Sequence, residues 1–135
     1  MKRLVLVEDH QLFADGIASI LARQPDLTLA AHVTDGESAL QRIPRLWPDL
    51  VLIDLALPGI NGLEVIRRLR RHQPHLPIVV LSMHGERALI RAAIDHAVNG
   101  YLLKSSTESE FLRAVRVVLG GDRCYSAGLT EGLLE

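Results

Sequence analysis

Residues 50–54, Leu50-Val51-Leu52-Ile53-Asp54, decide the fold: four apolar residues follow one another without a polar break and stop at an aspartate. Alternation would mark a strand with one wet face, whereas an unbroken run suits a strand covered on both faces of a parallel sheet. Leu4-Val5-Leu6-Val7 and Ile78-Val79-Val80-Leu81 have the same form. Two weaker β-like runs, Leu27–Val33 and Tyr101–Leu103, bring the total to five, and Thr28 and His32 mark the Leu27–Val33 run as an edge strand.

Helical periods fill the gaps. Leu12, Phe13, Ile17, Ile20 and Leu21 predict one helix, stopped by Pro25; Ala39, Leu40, Ile43 and Trp47 predict a second, kinked or ended early by Pro44. Leu63, Ile66 and Leu69 predict a third behind Asn61. A fourth spans about 86–98 and stops at the left-handed signal Asn99-Gly100. A fifth opens on the capping box Thr107-Glu108-Ser109-Glu110 and runs to Gly120-Gly121. Five strand–helix alternations predict a doubly wound α/β parallel sheet with right-handed crossovers. The expected domain is 1–121. Residues 122–135 show no settled period and read as a linker or truncated tail, with Cys124 in it.

At 135 residues and 14.9 kDa the chain has room for one core. Mean hydropathy is only +0.19, and no apolar stretch reaches membrane-spanning length, so no membrane role is expected. A net charge of −1 supplies no basic field for nucleic acid, and 4% aromatics supply few stacking platforms. The single cysteine fits a reducing cytoplasm. Of 15 basic residues only Lys2 and Lys104 are lysines, which singles out the internal one.

In an open parallel sheet, ligands gather beyond the carboxyl ends of the strands. Those ends carry Glu8-Asp9, Asp54, Ser82 and Lys104. Three carboxylates crowded at one edge repel one another, and a hard divalent cation relieves them; Mg²⁺ takes few carboxylates and keeps room for a phosphoryl oxygen. Asp54, before the Leu57-Pro58-Gly59 turn, is the best-placed nucleophile for an acyl phosphate. Lys104 and the Ser82 hydroxyl can meet phosphoryl oxygens.

VEDHQLFADGI, LIDLALPGINGLEVIRRLR, VVLSMH and GYLLK resemble the receiver domain of bacterial two-component response regulators, over residues 3 to about 121. DHQLFADGI and GYLLKSS are most similar to the NarL/FixJ (LuxR-type) class. The resemblance implies a flavodoxin-like (CheY-like) sheet of five strands, order 2-1-3-4-5, with five helices. It implies that Asp54 accepts a phosphoryl group from a sensor histidine kinase. Asp9, Asp54 and the Ala56 carbonyl would ligate Mg²⁺ directly, with Glu8 acting through metal-bound water. Ser82 and Tyr101 would be the switch pair, and Lys104 the phosphate-pairing lysine. Ser105 stands where the family often has a cis proline, and Ala56 and His84 stand where the family tunes phosphoryl lifetime.

The output implied is a homodimer formed on phosphorylation through a repacked surface of the fourth helix, fifth strand and fifth helix. DNA would be reached only through a C-terminal domain absent from this chain, since nothing after Gly121 could build a recognition helix. The alternative is a stand-alone receiver that docks on a partner or acts as a phosphate sink. A small-molecule phosphatase would place a carboxylate at position 56, where this chain has alanine, so no turnover enzyme is expected. Arg67, Arg68, Arg70 and Arg71 read as the solvated face of the third helix, and Trp47 as packing at the end of the second. The histidines at 10, 32, 72, 75, 84 and 96 are scattered.

Overall fold

The computed structural model describes residues 1–125, and its three apolar runs form the centre of one parallel sheet. The strands are β1 (Lys2–Val7), β2 (Leu27–Val33), β3 (Leu50–Ile53), β4 (Ile78–Ser82), β5 (Gly100–Leu103) and β6 (Cys124–Tyr125), in the order 2-1-3-4-5-6. The helices are α1 (Gln11–Ala22), α2 (Gly36–Leu46), α3 (Gly62–His72), α4 (Arg87–Asp95) and α5 (Glu108–Leu119).

Side chains alternate across a strand, and here the alternation divides the core into two layers. Val5, Val7, Val51, Ile53, Ile78, Val80 and Tyr101 face the core shared with α2, α3 and α4. Leu4, Leu6, Leu50, Leu52, Val79, Leu81 and Leu102 face the core shared with α1 and α5. Both faces of the three apolar runs are therefore covered, which is why the runs lack polar residues.

The sheet has six strands where five were expected. Cys124 N–H donates to Asn99 O at 2.9 Å, and the Tyr125 hydroxyl donates to Val98 O at 3.1 Å. Gly100 permits this approach, since a Cβ there would stand 2.9 Å from Cys124 O. Cys124 and Tyr125 thus belong to the sheet, while the rest of the expected tail, 126–135, lies outside the described residues.

Four helix expectations need correction. Leu12 is 88% exposed, because it sits roughly 200° round α1 from buried Ala14. Trp47 is 77% exposed: as the left-handed C-cap of α2 (φ 50°), it leaves the core where the helix ends, three residues past Pro44. Helix α4 stops at Asp95, and the left-handed residue is Ala97 (φ 60°), ahead of Asn99-Gly100. Asn99 is used otherwise, its Oδ1 accepting from Ile78 N–H at 2.9 Å and Arg70 at 3.1 Å. Arg67 and Arg68 do lie on the outer face of α3, paired with Glu64. Arg70 does not: it turns inward and donates to the carbonyls of Gln73, Leu76, His96 and Ala97. No helix among the described residues is long and apolar enough to cross a membrane.

Candidate phosphoryl-acceptor site

Polar side chains are excluded from this core except at one edge. Among the described residues the buried polar side chains are Glu8, Asp54 and Ser82, each within one residue of the end of β1, β3 or β4. Backbone pairing sets their positions: Asp54 N–H donates to Val7 O at 3.0 Å, and Lys104 N–H to Ser82 O at 2.8 Å. Gly62 packs directly against the Asp54 backbone. A Cβ at that position would stand 2.4 Å from Asp54 O, so only glycine lets the 55–61 loop fold back into α3.

Asp54 Oδ1 accepts the Ala56 N–H at 3.1 Å, and Oδ2 accepts Lys104 Nζ at 2.9 Å. Lys104 Nζ also stands 2.6 Å from Glu8 Oε1, an ion pair that leaves this fully buried oxygen without a directed hydrogen bond. Burial pushes the Lys104 pKa down, but the opposing contacts with Glu8 and Asp54 outweigh it, and the net shift is upward. The ammonium is further covered by the Phe13 ring, 4.7 Å to the centroid.

Glu8, Asp9, His10 and Asp54 each offer a donor atom, all within 4.8 Å of one another. Three carboxylates, one with a buried oxygen unsatisfied by any directed hydrogen bond, form the hard oxygen donor set that Mg²⁺ requires. The residues present fit that cation. Asp9, on the exposed side, opens the cluster to solvent.

Ser82 reaches the same edge, but its Oγ accepts the His84 N–H at 3.0 Å. Tyr101 is wholly buried, and its hydroxyl donates to His84 O at 2.7 Å. Burial leads the upward shift of the Tyr101 pKa, with the charges of Glu86 and Asp54 adding to it and a Ser82 hydrogen bond opposing it. Ala56 is exposed and meets Asp54 through its N–H. The described chain contains no cis peptide bond, so Lys104-Ser105 is trans.

The profile of the response regulator receiver domain matches residues 4–116, spanning all of these positions. The chain belongs to this family. It is 32% identical over 133 residues to the transcriptional regulatory protein DegU of Brevibacillus brevis, covering 98% of this chain and 56% of that protein. It is 32% identical over 130 residues to the nitrate/nitrite response regulator NarL of Escherichia coli K12, covering 96% of this chain and 60% of that protein. This receiver therefore spans little more than half the length of the curated relatives it matches. A two-component response regulator of the LuxR family from Aurantimonas sp. SI85-9A1 superposes with a TM-score of 0.93 at 29% identity, covering 100% of this chain and 99% of that one. The receiver is of the NarL/LuxR type, its fold is the doubly wound CheY-like sheet, and its acidic cluster is the kind that holds Mg²⁺ in that fold.

Three contributors to the site, His10, Phe13 and His32, have no site role in the sequence reading. His10 adds a nitrogen to the acidic cluster and lies beside Asp9, where adjacency alone could have flagged it. Phe13 covers Lys104 from α1, one turn past Asp9. His84, expected to tune phosphoryl lifetime, meets Ser82 and Tyr101 through its backbone. His32 bonds the Glu8 carbonyl from β2, and no motif announces it.

Proposed function

We propose that this receiver accepts a phosphoryl group on Asp54 from the phosphohistidine of a sensor histidine kinase. The observation that carries the reading is the Asp54 carboxylate, 3% exposed, held by Lys104 and the Ala56 N–H inside the Glu8–Asp9 cluster. An Asp54 oxygen forms the new bond to phosphorus as the phosphorus–nitrogen bond breaks, and the released imidazole takes its proton from solvent. Asp9, Asp54 and the Ala56 carbonyl are the direct Mg²⁺ ligands in this reading, with Glu8 acting through water. The cation supplies charge neutralisation when bound. Lys104 exchanges its Asp54 contact for a phosphoryl oxygen, and the Ser82 hydroxyl turns to another.

Ser82 and Tyr101 are the switch residues because both already hold His84, which leads into α4. A bond drawn from Ser82 toward phosphate loosens that hold and biases the packing of α4, β5 and α5 toward dimerisation. Its chemistry is confined to its own phosphorylation and dephosphorylation. Exposed Leu12 and Met83 near Lys104 offer the phosphodonor protein an apolar footing. The unit spanning 1–121, extended by the β6 residues Cys124 and Tyr125, acts in the cytoplasm in this reading, and the linker is the sequence beyond them. The name of the Brevibacillus relative, a transcriptional regulatory protein, supports a transcriptional output.

Acetyl phosphate with Mg²⁺ tests the site directly. Intact mass should rise by one phosphoryl group in the wild type, and should not rise in Asp54→Asn or without Mg²⁺. An unchanged wild-type mass with the fold intact would remove the acceptor role for chemical donors, and failure with the cognate kinase as well would remove it altogether.

A further inference from the structure

Glu8 lies at the centre of the acidic cluster, and its backbone is gripped from the side opposite Lys104. In a strand the N–H and C=O of one residue point to the same neighbour, and the next residue points to the other. Val7 O accepts from Asp54 N–H on the β3 side, so the Glu8 pair faces β2. The Glu8 N–H is met there by Val33 O at 2.9 Å. A continuing ladder would meet its carbonyl with the next backbone N–H of β2. That strand ends at Val33, and the chain turns through Thr34 to Asp35, whose side chain caps α2 by accepting from Ser38 N–H.

The missing donor comes from a side chain. His32 Nε2 lies 2.7 Å from Glu8 O. A carbonyl only accepts, so Nε2 carries the proton and the ring is the donor. Both polar groups of the Glu8 backbone are thereby fixed by consecutive residues of the edge strand. The side chain is fixed separately, Oε2 accepting from His10 N–H at 3.0 Å and Oε1 facing Lys104.

We propose that His32 is a positioning residue of the cation site. Its N–H replaces the ladder bond that ends with β2, and so sets the direction in which the chain leaves β1 and presents Glu8 and Asp9 to the metal. The inference rests on the Mg²⁺ reading above. His32 touches no candidate donor atom, and its effect passes through the Glu8 carbonyl.

Two substitutions separate positioning from packing. His32→Leu removes the donor at similar bulk, and His32→Gln restores an N–H at similar reach. Mg²⁺ titration of the unphosphorylated chain, followed by amide shifts, gives a dissociation constant that needs no phosphoryl transfer. The leucine variant should bind about tenfold more weakly and the glutamine variant within about twofold of wild type. Leucine binding equal to wild type, or glutamine as weak as leucine, would overturn the proposal. If the leucine variant does not fold, the ¹⁵N pattern of the wild-type ring decides: an Nε2–H tautomer supports the proposal and an Nδ1–H tautomer overturns it. A wild-type chain that takes up no Mg²⁺ would instead remove the cation reading itself, and this inference with it.

Discussion

Helices α4 and α5 flank the same strand, β5, yet they are held in opposite ways. Helix α5 runs for 12 residues, opens on a complete Thr107/Glu110 capping box, and buries Phe111, Ala114, Val115 and Val118. Helix α4 has nine residues, no side-chain cap at Glu86, and buries Ile90 and Ala93. Their entrances differ as well. The chain enters α5 from Lys104, which is fastened to two buried carboxylates. It enters α4 through His84, held by single hydrogen bonds to Ser82 and Tyr101. One helix is specified by its own sequence and the other by its neighbours. Under the proposed function, that contrast explains why phosphorylation acts on α4: the element with the least local support shifts for the smallest change in what surrounds it.

The largest test cuts the fastening of α5 to the site. Lys104→Met leaves Glu8 and Asp54 buried without their cation, a loss of about 3 kcal/mol by the scale of broken buried pairs. Urea unfolding measures it, and added Mg²⁺ should return part of the loss. The same lysine predicts a pH signature. Its folded pKa lies above the ordinary 10.5, so the folded chain keeps the proton longer than the unfolded chain. The stabilisation is full below 10.5 and is lost as pH rises through the higher folded value. Wild type and Lys104→Met should therefore converge in stability only above that point. Convergence near neutral pH would show that the ion pairs carry no stability.

A second test loosens α4 from behind. Arg70 donates to carbonyls at both ends of the α3–β4 connection and in the turn after α4, with no carboxylate among these partners. Burial lowers its pKa, the cost of keeping a guanidinium half inside. Arg70→Ala should destabilise by about 2 kcal/mol, in line with hydrogen bonds to a charged group. Amide exchange should rise in 94–99 and stay level in α5. A uniform rise would mean that α4 has no separate weakness.

These two residues also mark how far the sequence could be read. Lys104 is legible because it is the one internal lysine and closes the Tyr101–Leu103 run, and the strand-end rule needs only order along the chain. Arg70 reads as part of the wet face of α3 because Leu63, Ile66 and Leu69 mark the opposite face as buried, and the carbonyls that draw it inward come from residues up to 27 positions away. The His32 contact spans 24 positions and depends on where a strand stops, which periodicity does not locate to one residue. The two-residue β6 was too short to have a period. Local chemistry and alternation were legible, while side chains recruited to satisfy distant backbone groups were not.

Cap exchange sharpens the contrast at smaller scale. Thr107→Ala removes the oxygen that accepts the Glu110 N–H at 3.1 Å and should cost about 1 kcal/mol. Glu86→Ser supplies the cap that α4 lacks, and should gain about 0.5 kcal/mol because the extended backbone at position 86 already suits a cap. Thermal unfolding of the two variants should move in opposite directions, and a loss in both would mean that the 82–87 loop has no room for the serine bond.

An equally small effect belongs to Ala97, whose φ of 60° places a Cβ in the left-handed region that favours glycine. Its N–H still donates to Ile94 O at 2.8 Å, closing α4, so the turn is needed and the residue type is not suited to it. Ala97→Gly removes the steric conflict but adds freedom to the unfolded chain, and the net should be a gain of about 0.5 kcal/mol. If that gain is real and α4 is the shifting element, the glycine variant should also hold the end of α4 more firmly, with slower amide exchange at 96–98. The strain at Ala97 then belongs to the same design as the missing cap at Glu86: a helix kept loose at both ends, beside one capped at its start and fastened to the site.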